Sequence, residues 1–579
     1  MFENGYWRNR DMRNHVKIID GLAAPTLVLQ KATYLNVFLK QWLTANIWID
    51  KERIVYVGDE LPKQDNGTTY VDCEGKYLVP GYIEPHAHPF QLYNPEQLAY
   101  HAAASGTTTL VNDNLMWHFL LDKKKAFTLL DEFDKLPISM YWWARFDSQT
   151  TLKDEDAYFN TKDVLNWLSH PSVVQGGELT AWPQLLDGDD RLLYWIQEAN
   201  RLNKPVEGHF PGASEKTLTK LKLLGVHADH ESMTGKDVIT RLRLGYQVGL
   251  RHSSIRPDLP HILEEIIEAN ITSFDQITMT TDGATPSFYE RGLMNVCLEI
   301  AIEKGVPLEE AYCMVTYNVA KHLRLEDQIG SIAPGRIAHI NILEAKNRPT
   351  PIGVLAKGEW IVKDGINMKQ ESRMNWTEHG VAPLQLNWDL TMEDLQFSTP
   401  IGLKMVNDVI MKPYPIQTDI TLMRLPDYNE EAFLMLVDRY GKWHVNTLIH
   451  GFTHSLGAIA SSYSNTGDIV LIGKNKQDIL LAGKRLKEIQ GGIVIVHEGE
   501  VLLEIPLHIG GVMYEGEMDT LIKLEKELQS ILTKFGYPFA DPVYTILFLS
   551  STHLPYIRIT QKGIVDVMSR EVMFPATMR

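Results

Sequence analysis

Between residues 80 and 330 short apolar, β-rich runs alternate with segments of helical period, and no other feature constrains the fold of this chain as tightly. Strands are predicted in the run entering His86 and at 106–112, 138–146, 173–179, 205–210, 226–230, 247–255 and 273–282. Amphipathic helices fall between them. One spans 189–203, with Leu192, Leu193, Trp195, Ile196 and Ala199 on one face, and another spans 289–304 and closes on Gly305. Eight strand-then-helix units predict an α/β fold of the (β/α)8 TIM-barrel type, covering 80–327. In such a barrel chemistry collects at the C-terminal ends of the strands, so the residues placed there decide the function.

Those ends carry metal-type side chains. The first run, Pro80-Gly81-Tyr82-Ile83-Glu84-Pro85-His86-Ala87-His88, ends in two histidines one residue apart, and alternate residues of a strand share a face. The fourth candidate closes on Gly176-Gly177-Glu178, the fifth on Glu207-Gly208-His209, the sixth on Asp229-His230-Glu231 and the eighth on Thr280-Thr281-Asp282-Gly283. Taken singly, His209 reads equally as a satisfied core histidine, Glu178 as a cap or ion-pair partner, and Asp282 as a turn residue before Gly283. The succession His-x-His, Glu, His, His, Asp at strand ends is what points to metal. A carboxylate has two oxygens with which to bridge two cations, and the remaining nitrogen and oxygen ligands complete each shell without sulfur.

Composition narrows the partners. The 579 residues are 44% apolar and 22% charged, enough for roughly three globular domains. A net charge of −17 offers no electrostatic footprint for nucleic acid or an anionic membrane, which leaves a small-molecule substrate. The three cysteines, Cys73, Cys297 and Cys313, form no C-x-x-C pair, so neither a disulfide framework nor a thiolate zinc site is indicated. The stretch from Met1 to Arg10 lacks the apolar core of a signal peptide and no uncharged run is long enough to span a membrane. A cytoplasmic location is expected.

With these motifs in place the chain resembles the amidohydrolase superfamily and, within it, the adenine deaminase family. The hairpin-like runs of 24–79, such as Ala45-Asn46-Ile47-Trp48-Ile49 and Arg53-Ile54-Val55-Tyr56-Val57-Gly58, are similar to the superfamily's flanking β-rich domain, placed at 1–79 and completed by 328–370. Gly330 through Ile340 looks like its return strand, with His339 where an aspartate is usual, which reads as structure and not chemistry. Gly106-Thr107-Thr108-Thr109-Leu110-Val111, Gly208-His209-Phe210-Pro211-Gly212 and Ala228-Asp229-His230-Glu231 match the adenine deaminases' second, fifth and sixth strands. Gly457-Ala458-Ile459-Ala460-Ser461-Ser462, Gly491-Gly492-Ile493-Val494-Ile495-Val496 and Ile505-Pro506-Leu507 look like the additional C-terminal α+β domain of that family, placed at 371–579.

The resemblance implies hydrolytic deamination of adenine to hypoxanthine and ammonia. It implies two divalent ions, manganese or iron with zinc permitted, held by His86, His88, Glu178, His209, His230 and Asp282. A water between such ions ionises near neutral pH and attacks C6. Asp282 is then the proton shuttle, and Glu231 either protonates a ring nitrogen or supports a ligand from outside, while Asp229 reads as a supporting group. A homodimer is also implied. Two segments depart from the family. After Asn112-Asp113 it continues with proline, histidine and glutamate, where this chain has Asn114-Leu115-Met116-Trp117. After Ser462 it is rich in histidine and aspartate, where this chain has Tyr463-Ser464-Asn465-Thr466-Gly467-Asp468. Tyr141-Trp142-Trp143-Ala144-Arg145 is bulkier than its counterpart, and the tryptophans there read first as barrel packing.

A rebuilt pocket leaves Asp113, Arg145, Arg251 and His252 as the substrate-contact candidates, with a structural ion pair the competing reading for the Arg251-His252 pair. It also keeps open hydrolysis of a different purine or N-heterocycle, and a catalytically silent ligand-binding relative. Glu178 in place of a bridging lysine argues against the carboxylated-lysine hydrolases, and the Pro-Cys-x-x-Cys of the other zinc deaminase scaffold is absent.

Overall fold

The computed structural model describes residues 2–3, 6–368 and 372–579, so the boundary expected between 370 and 371 lies outside the described residues, as do Met1, Asn4 and Gly5. At its centre stand eight parallel strands: β1 (Tyr82–Ala87), β2 (Thr107–Asn112), β3 (Ser139–Ala144), β4 (Val173–Leu179), β5 (Val206–Gly208), β6 (Ala228–Asp229), β7 (Gln247–Arg251) and β8 (Ile277–Thr280). Each pairs with its neighbour in sequence, and β8 returns to pack against β1. Side chains tie that seam. The Glu84 carboxylate accepts from Thr280 Oγ1 at 2.6 Å, Thr281 N at 2.9 Å and Thr281 Oγ1 at 2.6 Å. The barrel predicted from the strand rhythm is therefore present.

Local chemistry explains why these segments form. Every residue of β4 is buried, as a strand covered on both faces requires. The longer of the two helices between β4 and β5, Asp190–Arg201, starts where the Asp189 side chain accepts from Leu192 N at 2.9 Å and buries Leu192, Trp195, Ile196 and Ala199 against the barrel. Several expected elements are shorter, three of them cut back by turns. The run 247–255 ends as a strand at Arg251, because Ser253 and Arg256 bond to each other's backbone in a turn. The run 273–282 becomes β8 only at Ile277, after a turn closed by Ile277 N on Phe274 O. Helix 289–304 begins at Met294, since Gly292 takes φ +109° and separates it from a 3₁₀ turn over Pro286–Arg291.

Strands from both sides of the barrel share one mixed sheet. Tyr77–Pro80 lies parallel to Leu27–Asn36 and antiparallel to Ile340–Leu343, with Leu78 opposite Ile342 and Pro80 opposite Ile340. The return strand thus begins at Ile340, and Pro334-Gly335 turns the chain before it. His339 sits behind it with Nε2 2.8 Å from Ser139 Oγ, away from the barrel mouth.

The last third builds a second, largely antiparallel nine-stranded sheet around Glu431–Val437. That strand is buried on both faces: Phe433, Met435 and Val437 pack with Ile479, Ala482 and Leu486 of helix Lys476–Glu488, while Leu434 and Leu436 join the apolar cluster that continues into the barrel. Among the described residues no helix is long and apolar enough to cross a membrane.

Candidate metal centre

Six of the sequence-predicted residues converge at the C-terminal mouth of the barrel. Glu178 stands between two groups of nitrogens. Its Oε2 lies 3.8 Å from both His86 Nε2 and His88 Nε2, and its Oε1 lies 2.8 Å from His209 Nδ1 and 3.6 Å from His230 Nε2. Asp282 Oδ1 approaches His86 Nε2 at 3.4 Å and His88 Nε2 at 3.1 Å. His86, His230 and Asp282 form one compact set of ligand atoms, His86, His88 and Glu178 a second, and Glu178, His209 and His230 a third.

Backbone shape at two glycines permits this crowding. Gly177 has φ +105° with Glu207 O where a Cβ would stand, and Gly283 has φ +69° against the His88 side chain. Asp282 itself takes φ +50°, a conformation aspartate tolerates better than most residues.

The donor set suits divalent cations. His86 Nε2 and His230 Nε2 are buried and lack a hydrogen-bond partner, which in an interior is costly unless something else takes the lone pair. All the ligand atoms are nitrogen or oxygen. Burial would raise the Glu178 carboxyl, but Arg145, His209 and His230 hold it well below its ordinary value. Asp282 is likewise held down, against burial, by Arg251 and His88. Both are carboxylates at neutral pH. For His88 the balance reverses: burial would depress it, yet Asp113 and Asp282 bring it up to about 9 in the absence of a cation. A bound metal competes with that proton.

Outer groups aim the ligands. Glu207 accepts from His86 Nδ1 at 3.1 Å through one oxygen and from His230 Nδ1 at 3.0 Å through the other, leaving both Nε2 atoms turned inward. Gln175 Nε2 steadies it at 2.6 Å. Trp143 stacks under His86 with ring centres 4.4 Å apart. Arg145, fully buried, grips Asp113 through Nε at 2.9 Å and Nη2 at 2.6 Å and reaches Glu178 Oε2 at 3.0 Å, while Asp113 also holds His88 Nδ1 at 2.8 Å. Arg251 Nη1 contacts Glu231 Oε1 at 2.5 Å and Asp282 Oδ2 at 2.8 Å, and Arg256 takes the other Glu231 oxygen at 2.8 Å.

Of the substrate-contact candidates, Asp113, Arg145 and Arg251 are thus engaged with the cluster itself. His252 lies beside Phe288, ring centres 5.2 Å apart. Asp229 faces outward, paired with Arg241. Glu207, Gln149, Arg256 and His553 were not singled out from sequence. The strand alternation offered one signal, since Glu207 precedes His209 by two residues and so shares its side of β5. For His553 there was none: a lone histidine far along the chain, it meets His209 edge-on with ring centres 5.4 Å apart, and burial together with His209 pushes it down to about 3.

A barrel with this cluster at its mouth is the architecture of an amidohydrolase, and the model of the Amidohydrolase family matches residues 77–361. That of the adenine deaminase C-terminal domain matches 412–571. A "Putative adenine deaminase" of Oceanobacillus iheyensis is 60% identical over 100% of both chains, and one of Bacillus subtilis is 50% identical over 99% of both. The chain belongs to the adenine deaminase family. Among solved structures, a β-aspartyl dipeptidase of Fervidobacterium islandicum aligns at 16% identity and a TM-score of 0.46, covering 60% of this chain and 99% of its own.

Proposed function

We propose that the protein hydrolyses adenine to hypoxanthine and ammonia, using two divalent ions held by His86, His88, Glu178, His209, His230 and Asp282. The observation that carries this reading is Glu178, which turns one oxygen toward His86 and His88 and the other toward His209 and His230, with the unpartnered Nε2 atoms of His86 and His230 lying among them. When bound, such ions lower the pKa of water and supply Lewis acidity at neutral pH. Manganese or iron suits the nitrogen and oxygen donors, and zinc is permitted.

The chain's own groups do the rest. Asp282, held as a carboxylate, takes the proton of the water that adds to C6 and returns it to the departing amine, so that the C6–N bond breaks as ammonia leaves. Glu231 stays ionised, brought to about 2 by His209, Arg251 and Arg256 against the effect of burial, and keeps Arg251 and Arg256 aligned. Asp113 and Arg145 fix His88 and Glu178.

One observation favours a second substrate class. Arg145 fills the place beside Asp113, and the residues after Asp113 that stand where the resemblance has histidine and glutamate, Leu115, Met116 and Trp117, are packed into the apolar core, so those two polar groups are not supplied here and another amino-bearing heterocycle remains a candidate substrate. Metal-reconstituted protein tested on a panel of purines and related heterocycles, reading ammonia release and ultraviolet spectra together, decides between them. Adenine deamination with an efficiency of about 10⁴ M⁻¹s⁻¹ or more establishes the first. Preference for another member establishes the second, and release from none overturns both.

A further inference from the structure

The roof of the barrel mouth comes from the far end of the chain. Helix Pro542–Phe548 and the turns after it cross from the loop that follows β8 to the loop that follows β3. At one end the Tyr544 hydroxyl donates to the Gly283 carbonyl, next to Asp282. At the other, Thr150 bridges Ser551, Thr150 Oγ1 donates to Ser550 O at 2.5 Å, and Thr552 N donates to Gln149 O at 2.9 Å. Aromatic rings run between these anchors. Tyr544 and Phe548 stack with centres 5.1 Å apart, Phe548 meets the edge of His553 at 5.8 Å, and His553 meets His209 at 5.4 Å.

The bonding of His553 sets its chemistry. Its Nδ1 lies 3.4 Å from the Gln149 carbonyl, and the Gln149 side chain donates to Glu178 Oε2 at 3.1 Å. A carbonyl only accepts, so Nδ1 carries the hydrogen and Nε2 keeps the free lone pair. Among the described residues Nε2 has no hydrogen-bond partner. An imidazole acceptor, in T-shaped contact with Phe548 and with His209 of the cluster, is suited to a planar heterocycle that bears an N–H group.

Building on the proposed deaminase reading, we propose that His553 is a specificity-determining residue of the C-terminal domain, its Nε2 accepting an N–H of the heterocycle bound before Glu178 and His209. The C-terminal domain then contributes directly to substrate recognition at the barrel mouth.

The test uses full-length, metal-reconstituted protein with adenine, 9-methyladenine and N6-methyladenine, each methyl removing one N–H. His553→Phe keeps a ring and loses the acceptor, His553→Ala loses both, and His553→Gln restores an acceptor. Loss of one such bond predicts a rise in KM for adenine of about tenfold in the first two variants, with kcat within about threefold. The variants should also lose the preference for adenine over one methylated analogue, His553→Gln should recover much of it, and bound metal should not change. If either folded variant keeps wild-type KM and analogue preference while the wild type deaminates purines, the assignment of His553 is wrong and the deaminase reading stands. If metal-loaded wild type releases ammonia from no purine, both fall.

Discussion

Glu207 is the most exacting test of how the cluster is built. One carboxylate serves two imidazoles, at 3.1 Å to His86 Nδ1 and 3.0 Å to His230 Nδ1, and takes a third bond of 2.6 Å from Gln175 Nε2. Burial would raise its pKa, yet His86 and His230 hold it well below the ordinary value, so it is an anion facing two donors. Glu207→Leu leaves three buried donors unpaired and frees both rings to turn. Removing an outer-shell partner of a single ligand typically costs 10- to 100-fold in metal affinity. Because two ligands depend on Glu207, the leucine variant should lose about a hundredfold or more, roughly 2.7 kcal/mol. Glu207→Gln keeps one acceptor oxygen and should lose about tenfold. Competition with a chromophoric chelator at neutral pH measures both. Wild-type affinity in the leucine variant, with its melting curve unchanged, refutes the reasoning and assigns orientation of His86 to its packing on Trp143.

Three further outcomes follow from other parts of the structure. Asp282→Asn retains size but cannot accept the water proton, so kcat should fall by about a hundredfold or more, checked by steady-state kinetics beside a melting curve that stays in place. Prolonged treatment with a strong chelator should abolish activity and re-addition of manganese or iron should restore it, with elemental analysis showing close to two ions per chain when active. Burial and the nearby Asp541 carboxyl raise Glu525 to about 7, where it accepts from Ser287 N at 2.5 Å between the C-terminal domain and the loop after β8. A raised carboxyl contributes stability fully present below its unfolded pKa of about 4.5 and lost as pH rises through about 7, so denaturant titrations from pH 5 to 8 should show a decline of up to about 3 kcal/mol from this group that Glu525→Gln removes.

The barrel was legible because its signals are local. Buried parallel strands read as apolar runs, as Val173–Leu179 does, and helix Asp190–Arg201 shows its buried stripe every three or four residues. The residues brought to the cluster were legible for the same reason, since strand ends fall at fixed places relative to those runs. What escaped depends on partners remote in sequence. Nothing local announces that Asp113 and Glu178 will close on Arg145. The strand expected to continue past Arg251 ends there in a turn, with the arginine drawn to Glu231 and Asp282. His553 has no local pattern at all, and its position is fixed by the docking of an entire domain.

The flanking sheet carries a consequence for how the chain is made. Tyr77–Pro80, the strand that leads into β1, has one neighbour synthesised before the barrel, Leu27–Asn36, and one synthesised after it, Ile340–Leu343. While the barrel is emerging from the ribosome, the backbone edge meant for Ile340–Leu343 stands open, and an open edge is a template for pairing with another chain. The later strand can take its register, Pro80 against Ile340, only after the whole barrel segment has been synthesised. A nascent chain stalled within the barrel therefore shows its defect at a distance, as a strand of the flanking sheet lacking its later neighbour, an edge of the kind that templates aggregation.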